Sequence, residues 1–399
     1  MTSPRRLRLL ALAFVMLFVP SRSRAEITGV VFDDKNSDGL QQPGESGLPD
    51  IAVSNQIDVV QTDAAGAYRL SGRGTGVVFV SLPRGRVAVS NFWRSAPSDD
   101  AAGLHFPLAA TTDADDFTFI HASDTHLSEQ SLPRTRLLLG AIEVMKPDLV
   151  LVSGDLIRDA LRVNEAEATR LYEMYVEEMA TSARPVWSVP GNHEIFGIER
   201  DRSGVAADHP LYGRSMYRHY RGPDYYSFNA GGVHFVALNT VDIDDTRYYG
   251  HVDSLQLAWL ERDLAVVPAG TPVVTFNHIP FFTAVETING YNDAPPAPSV
   301  ITVNGKAAFR HTVSNARDVI ARVAPHPYPL ALAGHMHVRE LLRYPGIATR
   351  FDQGAAIVGA SGGPLMKFPS GITLYSISRS IVGEGRFIPL GIDATASSR

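Results

Sequence analysis

Five short polar motifs, each preceded by an apolar strand-like run, constrain this chain more than any other feature. Asp124-Thr125-His126 follows residues 117–121, and Gly154-Asp155 follows 149–152. Gly191-Asn192-His193-Glu194 follows 186–189, His278 follows 273–276, and Gly334-His335-Met336-His337 follows 330–333. Between these runs lie segments with apolar residues at helical spacing: 133–145, 164–180, 254–264 and 314–323. Strands alternating with helices predict an α/β (α+β) fold with polar motifs at the carboxyl ends of the strands. Beyond His337 the pattern returns to short β runs at 355–360, 373–377 and 386–388. These are expected to complete a second sheet, giving a two-sheet sandwich flanked by helices. Two carboxylates, one amide and four imidazoles at strand ends are a donor set suited to two adjacent transition-metal ions. An all-oxygen shell, as magnesium or calcium prefers, would look different.

The ends and the charge balance narrow the setting. Arg5, Arg6 and Arg8 precede an apolar stretch at 9–19, Pro20 breaks it, and Ser23-Arg24-Ala25 offers a cleavage site. Residues 1–25 read as a signal peptide, too short in its apolar part for the ~20 residues of a membrane span. Removing its five arginines leaves 31 basic residues against 42 acidic ones, a net charge of −11. Such a chain does not attract a nucleic-acid polymer without a local basic patch, and none is visible. There is no cysteine, so neither disulfides nor thiolate ligands are available. A periplasmic or secreted bacterial protein without a stable membrane span is expected.

Residues 26–112 differ from the rest. Short β runs at 27–32, 51–53, 59–62, 68–70, 77–80 and 86–89 are separated by Gly, Pro, Asp and Asn, which predicts a small β-sandwich. Residues 113–116 are its linker to a domain spanning 117–399. Asp34, Asn36, Asp38 and Glu45, with Gly39 at the turn, have the spacing of an EF-hand calcium loop. A strand rather than a helix precedes the loop, so a solvated turn is the competing reading. The stretch 29–39, with Gly47-Leu48-Pro49 and the run from Thr62 to Tyr68, resembles the SdrD B-like and prealbumin-like modules of secreted bacterial proteins.

The five motifs, in their order, resemble those of the calcineurin-like metallophosphoesterase family over roughly residues 117–390. The resemblance implies one metal held by Asp124, His126, Asp155 and His337. It implies a second held by Asp155, Asn192, His278 and His335, with Asp155 bridging. Iron, manganese or zinc would suit these donors. An amide ligand adds no charge, leaving the centre positive toward phosphate. In a regular strand His335 and His337 would point the same way, so a turn is required to send them to separate metals. The family pattern also implies a metal-bridging water as nucleophile, His193 as a non-ligating proton donor, and Glu194 as the carboxylate that orients His193.

Other residues carry weaker signals. His121 and His234 lie in apolar runs and read as hydrogen-bonded core residues. Residues 281–308 form a long insertion after His278, and such loops are uncommon unless functional. Arg310 and His311 at its end are candidates to touch a substrate phosphate, or else an ordinary surface pair. Residues 197–221 could supply a second wall, with Tyr212, Tyr217 and Tyr220 either there or in the core. The expectation is an enzyme acting on a small phosphate ester, either a phosphomonoester or a phosphodiester. A nucleotidase or cyclic-nucleotide phosphodiesterase shares the same motifs. A surface-binding protein with an inactive phosphoesterase fold is the alternative from another class, although no ligand is missing.

Overall fold

Alternate residues of the apolar runs go to opposite faces of two stacked sheets, as the two-residue period of a strand requires. In Asp116–Ala122, Phe119 enters the space between the sheets while Ile120 faces the helices. In Leu149–Ser153, Leu151 and the pair Val150 and Val152 divide in the same manner. The computed structural model describes residues 26–96, 98, 101–112, 114–294, 297–359 and 368–391. The expected signal peptide and part of the 113–116 linker lie outside them.

The first sheet carries Val186–Val189, Leu149–Ser153 and Asp116–Ala122 in parallel, with Gly371–Ser378 antiparallel beside the last. The second carries Val233–Leu238, Val273–Asn277, Leu330–Ala333 and Arg350–Gln353 in parallel. Tyr226–Ala230 and Glu340–Leu342 lie antiparallel at its edges. Phe119, Phe228, Phe235 and Tyr375 meet between the sheets in stacked and edge-on contacts. Leu132–Met145 and Glu165–Ala180 cover the outer face of the first sheet, where Leu138, Ile142, Leu171 and Tyr175 are fully buried. Ser254–Ala265 and Ala316–Val323 join the second sheet through Trp259, Leu260, Val319 and Val323. Asn164 caps its helix by accepting from the Glu167 N–H, and Asp253 does the same for Gln256. The two-layer, helix-flanked fold is therefore present.

Two details differ from the sequence reading. The tail was expected to complete the second sheet, but Gly371–Ser378 pairs with Asp116–Ala122 of the first. The second sheet is closed instead by Arg350–Gln353 and Glu340–Leu342, and residues 355–359 form no strand. The 281–308 insertion is not structureless. It contains the short helix Val285–Asn289 and the hairpin Val300–Val303/Lys306–Phe309.

Residues 26–110 form two four-stranded sheets. Their apolar interior is continuous with that of the larger unit. The Trp259 indole N–H donates to Ser54 Oγ at 3.1 Å, and Phe79 packs edge-on against both Trp259 and Tyr226. Gln56 donates to the Tyr225 carbonyl at 2.8 Å and to the buried Asp224 at 3.1 Å. Asp224 also accepts from Arg218 and Asn239. No helix among the described residues is long and apolar enough to cross a membrane.

Candidate metal centre

Each of the five motifs begins where its strand ends, and in the first, second and fifth the backbone turns into a conformation that side chains rarely adopt. Asp124, His126, Asp155, His335 and His337 all have positive φ, from 40° to 75°. Each left-handed non-glycine residue costs on the order of 1–3 kcal/mol, so five together are held by surrounding contacts. Positive φ at both His335 and His337 supplies the turn that a regular strand lacks. The motif glycines leave room for ligands. A Cβ on Gly191 would lie 2.2 Å from Asp155 Oδ1, and one on Gly334 would lie 1.8 Å from Ser123 Oγ and 2.8 Å from Asp124 Oδ2.

The result is two adjoining groups of metal-binding atoms sharing one residue. Asp124, His126, Asp155 and His337 form the first, and Asp155, His278 and His335 form the second. His126 Nε2 lies 3.4 Å from Asp155 Oδ2 and 3.1 Å from His337 Nε2. His337 Nε2 is 3.3 Å from Asp124 Oδ1. On the other side His278 Nε2 is 3.2 Å from Asp155 Oδ1, 3.2 Å from Asn192 Oδ1 and 3.0 Å from His335 Nδ1. The two Asp155 oxygens thus face different groups. Imidazole nitrogens this close to one another and to carboxylates, with His335 Nε2 buried and unpartnered, fit the donor chemistry of transition-metal ions. The Ser153 carbonyl, 2.8 Å from His278 Nδ1, orients that ring from behind.

Electrostatics prepare the donors. Against the cost of burial, neighbouring imidazoles hold the Asp124 and Asp155 carboxyls below their usual range, Asp155 far below. Burial keeps His126 neutral, down to about 3, and pushes His335 well down. His278 also suffers from burial, but the charge and hydrogen bond of Asp155 raise it to about 9. His337 is raised, against burial, by Asp124. A metal held by these residues would have to compete with protons on His278 and His337.

His193 stands beside the first group. Its Nε2 is 3.9 Å from Asp155 Oδ2, and its ring lies edge-on to His126 at 4.5 Å. Its backbone N–H donates to Asp155 Oδ1 at 3.0 Å. Glu194 is not its partner, contrary to the sequence expectation. His193 Nδ1 is bonded to the Arg158 carbonyl, which fixes the tautomer and turns Nε2 to the centre. Glu194 is buried on the other side of the chain. Its Oε2 accepts from the Gly191 N–H at 2.6 Å, and its Oε1 accepts from Leu156 and Ile157 at 2.8 and 3.1 Å. The short helix Asn192–Glu194 turns consecutive side chains apart, so His193 and Glu194 diverge. Burial and then the Asp155 charge push the Glu194 carboxyl up to about 8, and its N–H donors counter that cost.

The insertions complete one wall. His311 Nδ1 sits 2.6 Å from Glu286 Oε1, and its ring is 5.1 Å from that of His335. Arg310 is buried, with its guanidinium 4.2 Å above the Tyr248 ring, which in turn lies 6.3 Å from the His335 ring. Both candidates from the insertion thus belong to the centre's surroundings rather than to the open surface. Tyr248 and Arg158 were not legible beforehand. Tyr248 sits in a short strand with no polar motif around it, and Arg158 acts through its backbone.

The remaining candidates lie elsewhere. His121 bonds Ser153 Oγ, and His234 bonds Asn229 and Asp263, all within the core. Tyr217 is core as well, donating to the Ser188 carbonyl. In the 34–45 loop, Asp34 accepts from Gly39 N–H, Asn36 donates to Asp38, and Glu45 accepts from Lys35 and Gln42 N–H groups. Asp34, Asp38 and Glu45 do not form a metal-binding group comparable with the two above among the described residues. Asp34 Oδ1 is buried without a hydrogen-bond partner.

The sandwich and its paired donor groups at strand ends define a protein of the metallophosphoesterase class. A match to the calcineurin-like phosphoesterase family spans residues 117–339, and the chain belongs to that family. It is 37% identical over 118 residues to purple acid phosphatase 23 of Arabidopsis thaliana, a match covering 27% of this chain and 22% of that protein. The chain thus spans about a fifth of that relative's length. Among solved structures it is similar to a dimetal phosphatase from Danio rerio, at 15% identity and a TM-score of 0.42, covering 69% of this chain and 99% of the other. It is also similar to the phosphopantetheinyl hydrolase of Mycobacterium tuberculosis, at 16% identity and a TM-score of 0.36, over 60% and 90% of the two chains.

Proposed function

We propose that the protein is an exported, binuclear metal-dependent phosphoesterase that hydrolyses a small phosphomonoester or phosphodiester. The observation that carries this reading is the sharing of Asp155 between two donor groups. Asp124, His126, Asp155 and His337 would hold one ion, and Asp155, Asn192, His278 and His335 the other. Two such ions, when bound, supply Lewis acidity toward the phosphoryl group and lower the pKa of a water nucleophile.

The chain's own residues do the rest. His193 presents Nε2 to the centre in an orientation held by the Arg158 carbonyl. Carrying a second proton, it can hydrogen-bond the charge that develops on the phosphoryl oxygens and pass that proton to the leaving oxygen. Asp155 is held by the His193 N–H and by close packing on Gly191. Nothing in the motifs distinguishes a nucleotide from another ester, so the leaving group is recognised by the insertions.

The test is metal analysis of purified protein with a panel of chromogenic mono- and diesters, assayed with zinc, manganese and iron. Near two ions per chain and hydrolysis abolished in Asp155→Ala is the expected result. A wild-type protein that binds two ions and cleaves no ester would favour a binding protein on this fold.

A further inference from the structure

Two hairpins from different parts of the chain meet over the His335 side of the centre. Val241–Asp244/Arg247–Gly250 and Val300–Val303/Lys306–Phe309 are joined by a small apolar cluster of Tyr249, Ile301 and Ala308. The chain beyond the second hairpin presses on the first. A Cβ on Gly250 would fall 2.1 Å from the Thr312 carbonyl oxygen, and Ser314 N–H donates to the Gly250 carbonyl at 2.7 Å. This junction fixes Tyr248 and Arg310 against each other.

Arg310 is 4% exposed, its Nε has no hydrogen-bond partner, and it makes no ion pair among the described residues. A nearby cation in the same neighbourhood is provided for differently. Arg162 pairs with Asp159 at 3.3 Å and Glu199 at 3.0 Å. A buried guanidinium lacking a carboxylate is costly, because desolvation is not offset. The face of Tyr248 recovers part of that cost through its quadrupole. The remainder calls for an anion, and the place where an anion would sit adjoins the metal-binding groups.

We propose that Arg310, braced on Tyr248, anchors a third charged phosphoryl oxygen and so makes the site selective for phosphomonoesters over diesters. This rests on the phosphoesterase reading above. A monoester dianion has three charged non-bridging oxygens. A diester has two, with an ester-linked group in place of the third. That group brings no charge for the guanidinium.

The experiment compares wild type with Arg310→Ala, Arg310→Lys and Tyr248→Phe, each checked for metal content and thermal unfolding. Inorganic phosphate affinity is measured by calorimetry on the metal-loaded protein. Hydrolysis is measured with an aryl phosphate and the matching aryl methyl phosphodiester. Losing a charged hydrogen bond corresponds to about 10-fold or more in affinity. Arg310→Ala is expected to weaken phosphate and raise the monoester KM by about that factor, with diester kcat/KM nearly unchanged. Arg310→Lys should recover part of the loss, and Tyr248→Phe, which keeps the ring face under the guanidinium, should stay near wild type. Unchanged phosphate affinity and an unchanged monoester-to-diester ratio in a folded, metal-loaded Arg310→Ala protein overturn the proposal. If that variant does not fold, the same two readouts in Arg310→Lys decide. Wild-type protein that cleaves neither ester overturns the phosphoesterase reading instead, while calorimetry still judges the anion site.

Discussion

Replacing Glu194 separates two incompatible roles for one carboxylate. As the orienting partner of His193, its loss would change the pH dependence of turnover and leave stability alone. As the structure has it, Glu194 is fully buried and accepts from three backbone N–H groups, at 2.6, 2.8 and 3.1 Å. Those groups belong to the two loops that carry Asp155 and Asn192. Glu194→Ala orphans all three donors, each worth about 1–3 kcal/mol when buried and unpaired. Partial entry of water and relief of repulsion from Asp155 reduce the total to about 3–6 kcal/mol. Glu194→Gln keeps the shape and two of the acceptor contacts, but turns an amide donor toward the Gly191 N–H. Its cost is one lost bond plus a donor–donor contact, about 2–3 kcal/mol. The assay is urea unfolding of metal-free protein, so that metal linkage does not enter, at a pH above about 8, where Glu194 is ionised. With a slope of about 3 kcal/mol/M for a chain of this size, the alanine variant unfolds about 1–2 M earlier and the glutamine variant under 1 M earlier. Wild-type midpoints in both, with an altered pH profile of turnover, would refute the structural role and restore the sequence expectation.

Three further outcomes follow from the geometry. His193→Ala should lower kcat by roughly 10²–10⁴-fold with two ions still bound, measured by elemental analysis alongside steady-state kinetics; loss of one ion would make His193 a ligand. Because His278 is raised to about 9 and His337 is also raised in the metal-free protein, protons compete with metal below that range. Metal affinity should therefore rise with pH up to about 9 and then level, as read by a competing chromogenic chelator. Asp224, held down to about 2 against burial by Arg218, contributes stability that is present above the usual carboxylate pKa near 3.8 and lost as pH falls toward 2. Asp224→Asn should remove about 2 kcal/mol at neutral pH, seen as an earlier thermal transition and a flatter acid limb.

The candidate metal centre was legible because metal binding needs particular atoms, here at strand ends, and strands and their ends have a short-range signature. Local pattern placed Asp124, His126, Asp155, Asn192, His278, His335 and His337 at strand ends, the family resemblance named them as ligands, and the structure gathers them. Local pattern also separated His121 and His234 from them, since both sit within apolar runs and not after them. What failed was pairing at a distance of one residue. His193 and Glu194 are adjacent in sequence, yet a single tight turn sends one to the metal-binding groups and the other to backbone donors from the loop after Gly154. The calcium-like loop shows the same limit from the other side. Asp34, Asn36 and Asp38 alternate and Glu45 follows seven residues on, but backbone N–H groups and the Asn36 amide take up several of their oxygens, while Asp34 Oδ1 is buried without a partner.

The sequence by itself determined the class of chemistry and the two-layer architecture. Hydrophobic period, turn residues and ligand types are properties of a few consecutive residues, and they carry that information without reference to the rest of the chain. Tertiary structure alone decided which carboxyl-terminal strand completes which sheet, that the amino-terminal sheets share a core with the larger unit, and that Arg310 lies on Tyr248 beside His335. These depend on contacts between segments some 60 to 200 residues apart, where the gain is buried area and paired charge. No local pattern records such partners, because many segments are apolar enough or charged enough to serve, and only packing selects among them.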